Sequence, residues 1–174
     1  MGPSHYQKLV AKGHSRDFRA VAEVVQVPME KAGPGQVLIK NRFAGVNASD
    51  VNITSGAYLG TAELPFDLGV EAVGEVIAIG EGVTHLSEGQ PVLTLYRGGG
   101  YREYQCVSAK QAFAAPEASR EVLGLGLSGL TASIGLEEVG QLKPASDIGR
   151  KNVLVTAAAG ATGSFAVQLA SAAG

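Results

Sequence analysis

The stretch VLVTAAAGATGSFAVQLASAAG, Val153 to Gly174, constrains the chain more than any other. An apolar run passes through alanines and glycines into a second apolar run with helical spacing. Such a turn carries a strand into a helix within a few residues. Glycine there supplies positive φ and lets the backbone approach a phosphate with no Cβ in the way. The start of the helix then offers free N–H groups and a partial positive charge. The pattern predicts a parallel-type strand over Val153 to Thr156 and a helix from Thr162 to Ala173. Gly160 and Gly163, with Ala159, Ala161 and Thr162, are the candidate phosphate-binding positions. The competing reading is an Ala-Gly turn that serves packing alone.

The first ~115 residues have another character. YQKLVAKG, AVAEVVQVP, GQVLIKNRFAG, EAVGEVIAIG, QPVLTLY and YREYQCVS are short β-branched or alternating runs. Gly, Pro or Asn closes most of them, and GPGQ at Gly33 and SEGQPV at Ser87 are turn signals. NASDVNITSG, Asn47 to Gly56, predicts a short helix with Ser49 as its cap and Val51 and Ile53 on its apolar side. The sum is a compact, mainly antiparallel barrel with one helix on a connection. Beyond Pro116, Val122, Leu123, Leu125, Leu127, Leu130, Ile134 and Leu136 predict one or two apolar helices, broken near Gly124 to Gly129. KPASDIGRKN follows as a polar loop. The domain reading is 1–125 for the barrel, 126–150 for a linking helix and loop, and 151–174 for the start of a nucleotide-binding unit.

Composition narrows the function classes. With 174 residues there is room for one ordinary domain and a fragment of another. The net charge of −2 and the lack of a basic stripe argue against nucleic acid. No apolar run approaches the ~20 residues of a membrane span. MGPSHYQKLV lacks the basic start, apolar stretch and cleavage site of a signal peptide. Cys106 is the only cysteine. It has no internal disulfide partner, so a reducing, cytoplasmic setting is expected, and no multi-cysteine zinc lobe is available.

Leu154, Ala158, Ala159, Gly160, Gly163, Gln168 and Ser171 match a nucleotide-loop signature. NRFAGVNASDVNITSGAY, LPFDLGVEAVGEVIAIGEGV, GGGYREYQCV and LSGLTA match further segments in the same order. On these motifs nearly the whole chain resembles the zinc-free, quinone oxidoreductase-like and prostaglandin reductase-like branch of the medium-chain dehydrogenase/reductase superfamily. One departure is Ala161, where the signature has a second glycine. An alanine at positive φ costs about 1 kcal/mol. The resemblance implies a mainly β GroES-like barrel, linking helices and the first βα unit of a Rossmann-type domain. It implies NADPH as cofactor and a small-molecule enone, quinone or 15-oxoprostaglandin-like substrate, reduced at an activated C=C bond. It also implies a truncated chain, completed by a missing C-terminal part or a partner chain, a homo-oligomeric parent, and weak or no NADPH binding by these residues alone. The alternative is a non-catalytic structural or interaction module built on a truncated GroES-like domain.

The same resemblance assigns candidate roles. Zinc-dependent relatives carry a cysteine and a His-Glu pair where this chain has Asn47 and Val70-Glu71, so no metal site is expected. Tyr58 lies in a segment that lines the substrate cleft in enoyl-reductase relatives. It is the candidate proton donor to the enolate-like charge that hydride addition creates; its bland role is a loop aromatic. Asn47 is a candidate for bonding the nicotinamide or the substrate carbonyl, or else a plain helix-start residue. Thr131 matches the threonine that bonds the nicotinamide amide, or else bonds back to its own turn. Asp50 is expected to act as helix-start charge. Glu71, in an apolar strand pattern, needs a structural partner. Tyr101 and Tyr104 read as ordinary barrel residues. Arg97 and Arg102 are candidates for a substrate carboxylate, with solvated loop charge as the default.

Overall fold

The computed structural model describes residues 2–58, 62–142 and 152–173. The chain forms two compact units, Met1–Leu123 and Gly124–Gly174.

The first unit is built on two antiparallel sheets. β1 (His5–Ala11), β2 (Ala22–Pro28) and β4 (Phe66–Asp67) form a three-stranded sheet in the order β2-β1-β4. β3 (Gln36–Ala44), β5 (Glu71–Ile79), β6 (Pro91–Leu95), β7 (Tyr104–Ser108) and β8 (Ala112–Ala114) form a five-stranded sheet in the order β7-β3-β5-β6-β8. Every strand expected before residue 115 is present. Alternation sets the faces: Val37 and Ile39 of β3, Val76 of β5, Val92 of β6 and Val107 of β7 are buried in one cluster with Leu86. β3 bulges at Leu38/Ile39 and Asn41/Phe43 against β5, which curls the sheet.

Two short helices interrupt the strands. α1 (Phe18–Val21) starts at Asp17, whose carboxylate accepts from Arg19 N. α2 (Ala48–Thr54) buries Ile53. Its cap is Asn47, not Ser49, which corrects the sequence reading. Asn47 has extended backbone (φ −127°, ψ 151°) and its N–H is taken by Asp50 at the third helical position. The Asn47–Asp50 spacing is that of a helix-starting box, and Ser49 lies inside the helix.

The second unit is helical. After α3 (Arg120–Gly124), which closes the first unit, it runs through a π-helical turn over Leu125–Gly129, α4 (Leu130–Ser133) and a second π-helical turn over Ile134–Val139. The break expected near Gly124 to Gly129 falls at Gly126, with φ −59° and ψ −110°. The run nevertheless continues past it. Arg120–Val139, at 20 residues and mean hydropathy 1.3, is the one helix among the described residues long and apolar enough to cross a membrane. α5 (Ala161–Ala173) packs on this run, with Phe165 against Gly124. The expected strand at Val153 to Thr156 is a second correction. Residues 152–155 form no ladder with any described residue, and a parallel strand exists only by pairing with neighbours. The polar loop expected from Lys143 lies outside the described residues as far as Lys151.

Candidate functional site

Four polar side chains converge where β3 ends, α2 begins and β5 starts. Asn47 N donates to Asp50 Oδ2 at 2.8 Å, and Tyr101 O–H donates to the same oxygen at 2.7 Å. Asn47 Nδ2 donates to Glu71 Oε1 at 2.9 Å. Asp50 and Glu71 are 3% and 4% exposed, so both carboxylates sit in the interior on fixed donors. Space for Glu71 comes from Gly45: a Cβ there would lie 2.6 Å from Glu71 Cδ. The Asn47 amide is thereby held at two points, its backbone by Asp50 and its side-chain nitrogen by Glu71. Burial, and then the bond to Asp50, push the Tyr101 phenol well above the usual tyrosine range. Tyr101 is thus part of this network rather than the ordinary barrel residue the sequence suggested. Its link to Asp50 crosses 51 positions, and no local pattern announces it.

Tyr58 stands just beyond α2. Its ring is exposed at 63%, and its N–H donates to Asn52 O at 3.4 Å. Arg102 leaves the candidate list. It is 6% exposed, pairs with Asp67 at 3.2 Å and with Glu30 at 3.7 Å, and lies 5.6 Å over the Tyr6 ring. Arg97 remains exposed, with no ion pair among the described residues. Cys106 Sγ is 3.5 Å from Gln36 Oε1, and no group of three His, Cys, Asp or Glu among the described residues is placed to hold a metal.

In the second unit the loop before α5 differs from the sequence expectation in one respect. The residue with left-handed backbone is Ala157 (φ 51°), while Gly160 and Gly163 have negative φ. Ala161 opens α5 as an ordinary helical residue, so its replacement of glycine carries no left-handed strain. Gly163 is needed for closeness instead: a Cβ would fall 2.8 Å from Ala158 Cα. Gly160 N donates to Ala157 O (2.9 Å) and Ser164 N to Gly160 O (2.8 Å), so the turn closes on itself. The N–H groups of Ala161, Thr162 and Gly163 precede the first helical bond and have no intrahelical partner. Around them Ala159, Gly160, Ala161 and Thr162 are small and exposed. This arrangement fits a dinucleotide phosphate: free donors, a helix N-terminus and no bulky side chain. Thr131 Oγ1 donates to Leu127 O at 2.6 Å within its own helical run, and the residue is exposed.

Residues 33–117 match the alcohol dehydrogenase GroES-like domain. The chain is 44% identical over 169 residues to prostaglandin reductase-3 of Bos taurus, covering 97% of this chain and 44% of that protein. It is 41% identical over 168 residues to a probable quinone oxidoreductase of Leishmania amazonensis, covering 96% of this chain and 48% of that one. Among solved structures, Escherichia coli quinone oxidoreductase complexed with NADPH superposes with a TM-score of 0.82 at 28% identity, covering 97% of this chain and 50% of that one. The fold defines a GroES-like domain of the alcohol dehydrogenase type. The chain belongs to the medium-chain dehydrogenase/reductase superfamily, and it spans about half the length of the relatives it matches.

Proposed function

We propose that the chain is the N-terminal portion of a zinc-independent, NADPH-dependent reductase of activated C=C bonds in enones or quinones. The observation that carries this reading is the amide at position 47. An Asn47 side chain tied to Glu71 is a neutral hydrogen-bonding group, not a metal ligand, and it stands at the head of α2. The names of the relatives point the same way. NADPH, when bound, supplies hydride to the β-carbon of the substrate. Ala161, Thr162 and Gly163 would hold its phosphate through their free N–H groups, and Thr131 would accept from its carboxamide. Asn47, fixed by Glu71 and Asp50, orients the substrate carbonyl or the nicotinamide. The phenol of Tyr58 gives its proton to the enolate carbon as negative charge is quenched there.

Steady-state kinetics on the whole protein with an enone, beside a cofactor titration, test the assignment. Tyr58→Phe is expected to lower kcat with NADPH affinity nearly unchanged, because a proton donor acts only in the transition state. Metal analysis of the same preparation is expected to find no stoichiometric zinc. Absence of NADPH-dependent C=C reduction, or one tightly held zinc per chain, would overturn the proposal.

A further inference from the structure

We propose that Tyr101 is a positioning residue for the reaction: its hydroxyl, acting through Asp50, holds Asn47 in working geometry. The inference rests on the reductase reading for its effect on turnover; the holding itself rests on the following geometry.

Tyr101 is placed by its main chain. Its N–H donates to Leu68 O at 3.1 Å, and its C=O accepts from Leu9 N at 2.8 Å. The residue is therefore bonded to β1 on one side and to the chain just past β4 on the other. Gly69, at φ 85°, lets the two segments approach: a Cβ there would fall 2.7 Å from Gly100 Cα. The Tyr101 ring meets that of Phe18 edge-on, with centroids 6.1 Å apart. None of these contacts uses the hydroxyl, and a phenylalanine would keep every one of them. Packing thus does not account for the phenol. A hydroxyl taken out of water costs stability unless it is bonded. This one donates to Asp50 Oδ2 at 2.7 Å.

Asp50 depends on that bond. The residue is 3% exposed, and its Oδ1 has no partner among the described residues. Its Oδ2 accepts from two donors, the Tyr101 hydroxyl and the Asn47 N–H at 2.8 Å. A helix-starting box at a surface has solvent to complete its carboxylate, whereas this one relies on protein donors. The Tyr101 hydroxyl is therefore what orients the carboxylate from outside the box, and the carboxylate in turn fixes the main chain of Asn47. Without the hydroxyl, the carboxylate keeps a single donor and is free to turn about its Cβ–Cγ bond. On its far side Asn47 Nδ2 donates to Glu71 Oε1 at 2.9 Å. Asn47 is strung between two anchors, Glu71 of β5 and a tyrosine docked on β1. A misplacement of about 1 Å in a group that orients reactants can cost about a hundredfold in rate, so even a modest loosening registers in turnover.

Two measurements test the role of Tyr101. In the first, amide hydrogen exchange is followed in the whole protein and in its Tyr101→Phe variant. The Asn47 N–H is expected to exchange about tenfold faster in the variant. The Val76 N–H, bonded to Gln90 O within the sheet, is expected to be unchanged. Unchanged exchange at Asn47 overturns the positioning role whatever the enzyme does. Equal quickening at both amides overturns it too, since that marks a general loss of stability. In the second, kcat for an enone is measured in the parent, Tyr101→Phe, Asn47→Ser and the double variant. Serine keeps a capping group at position 47 and removes the amide. Tyr101→Phe should lower kcat about tenfold in the parent and have almost no effect once Asn47 is replaced. Effects that multiply, or an unchanged kcat in Tyr101→Phe, overturn the proposal and leave the reductase reading standing. Failure of the parent to reduce the enone counts against the reductase reading, and the exchange measurement then decides the role of Tyr101 alone.

Discussion

At the scale of single residues, the site depends on neutral and charged groups alternating. Asn47 donates to Glu71, and Asp50 accepts from Asn47 and Tyr101. Asn47→Asp would set a second carboxylate against buried Glu71. It is expected to lower stability by about 2 kcal/mol or more in urea unfolding at pH 7. Adding Glu71→Gln should restore most of the loss, because the new amide donates to the new carboxylate. If the double variant is no more stable than Asn47→Asp, the Asn47–Glu71 bond does not hold the site. Buried Tyr6 and half-buried Tyr101 give a pH signature. Burial raises the phenols of both Tyr6 and Tyr101, with hydrogen bonds to Glu30 and Asp50 adding to it. The folded chain thus keeps two protons that the unfolded chain releases near pH 10. Unfolded protein then binds fewer protons, so stability is full below about pH 10 and falls above it. Urea midpoints between pH 9 and 11 should fall less steeply in Tyr101→Phe than in the parent. Equal slopes would show that Tyr101 titrates normally.

At the scale of elements, α5 is locked to the loop before it by the missing Cβ of Gly163. Gly163→Ala is expected to cost about 1–3 kcal/mol, because backbone atoms rather than a flexible side chain must move. Amide exchange along α5 should quicken first; unchanged exchange there would refute the close approach. The strands were legible because β-branched alternation with Gly and Pro punctuation marks each of them between residues 5 and 114. The phosphate loop was legible in place and not in detail. Composition pointed to glycine for the left-handed residue, yet Ala157 takes it, while Gly163 is spent on contact. The segment at Val153 has strand composition, but a ladder depends on neighbours that local sequence does not contain. Ser49 and Asn47 are both good caps; Asp50, three positions after Asn47, decides between them by closing the box. The Tyr101–Asp50 and Asn47–Glu71 bonds span 51 and 24 positions, so folding alone reveals them.

At the scale of the whole molecule, every strand ladder among the described residues lies between His5 and Ala114. The buried apolar cluster of Val37, Ile39, Val76, Leu86, Val92 and Val107 lies there too. A chain cut after Leu123 is therefore expected to give a dispersed amide spectrum and a cooperative urea transition. One cut before Tyr104 is expected to give neither, since it lacks β7 and β8. A dispersed spectrum from the shorter piece would refute this view of the sheet. The strand order has a consequence for synthesis. β3 is made more than sixty residues before its partner β7. During that interval Val37 and Ile39 have half a sheet at most. The nascent sheet is at its most adhesive then, and its own demand for chaperones should fall once Ala114 has cleared the exit tunnel.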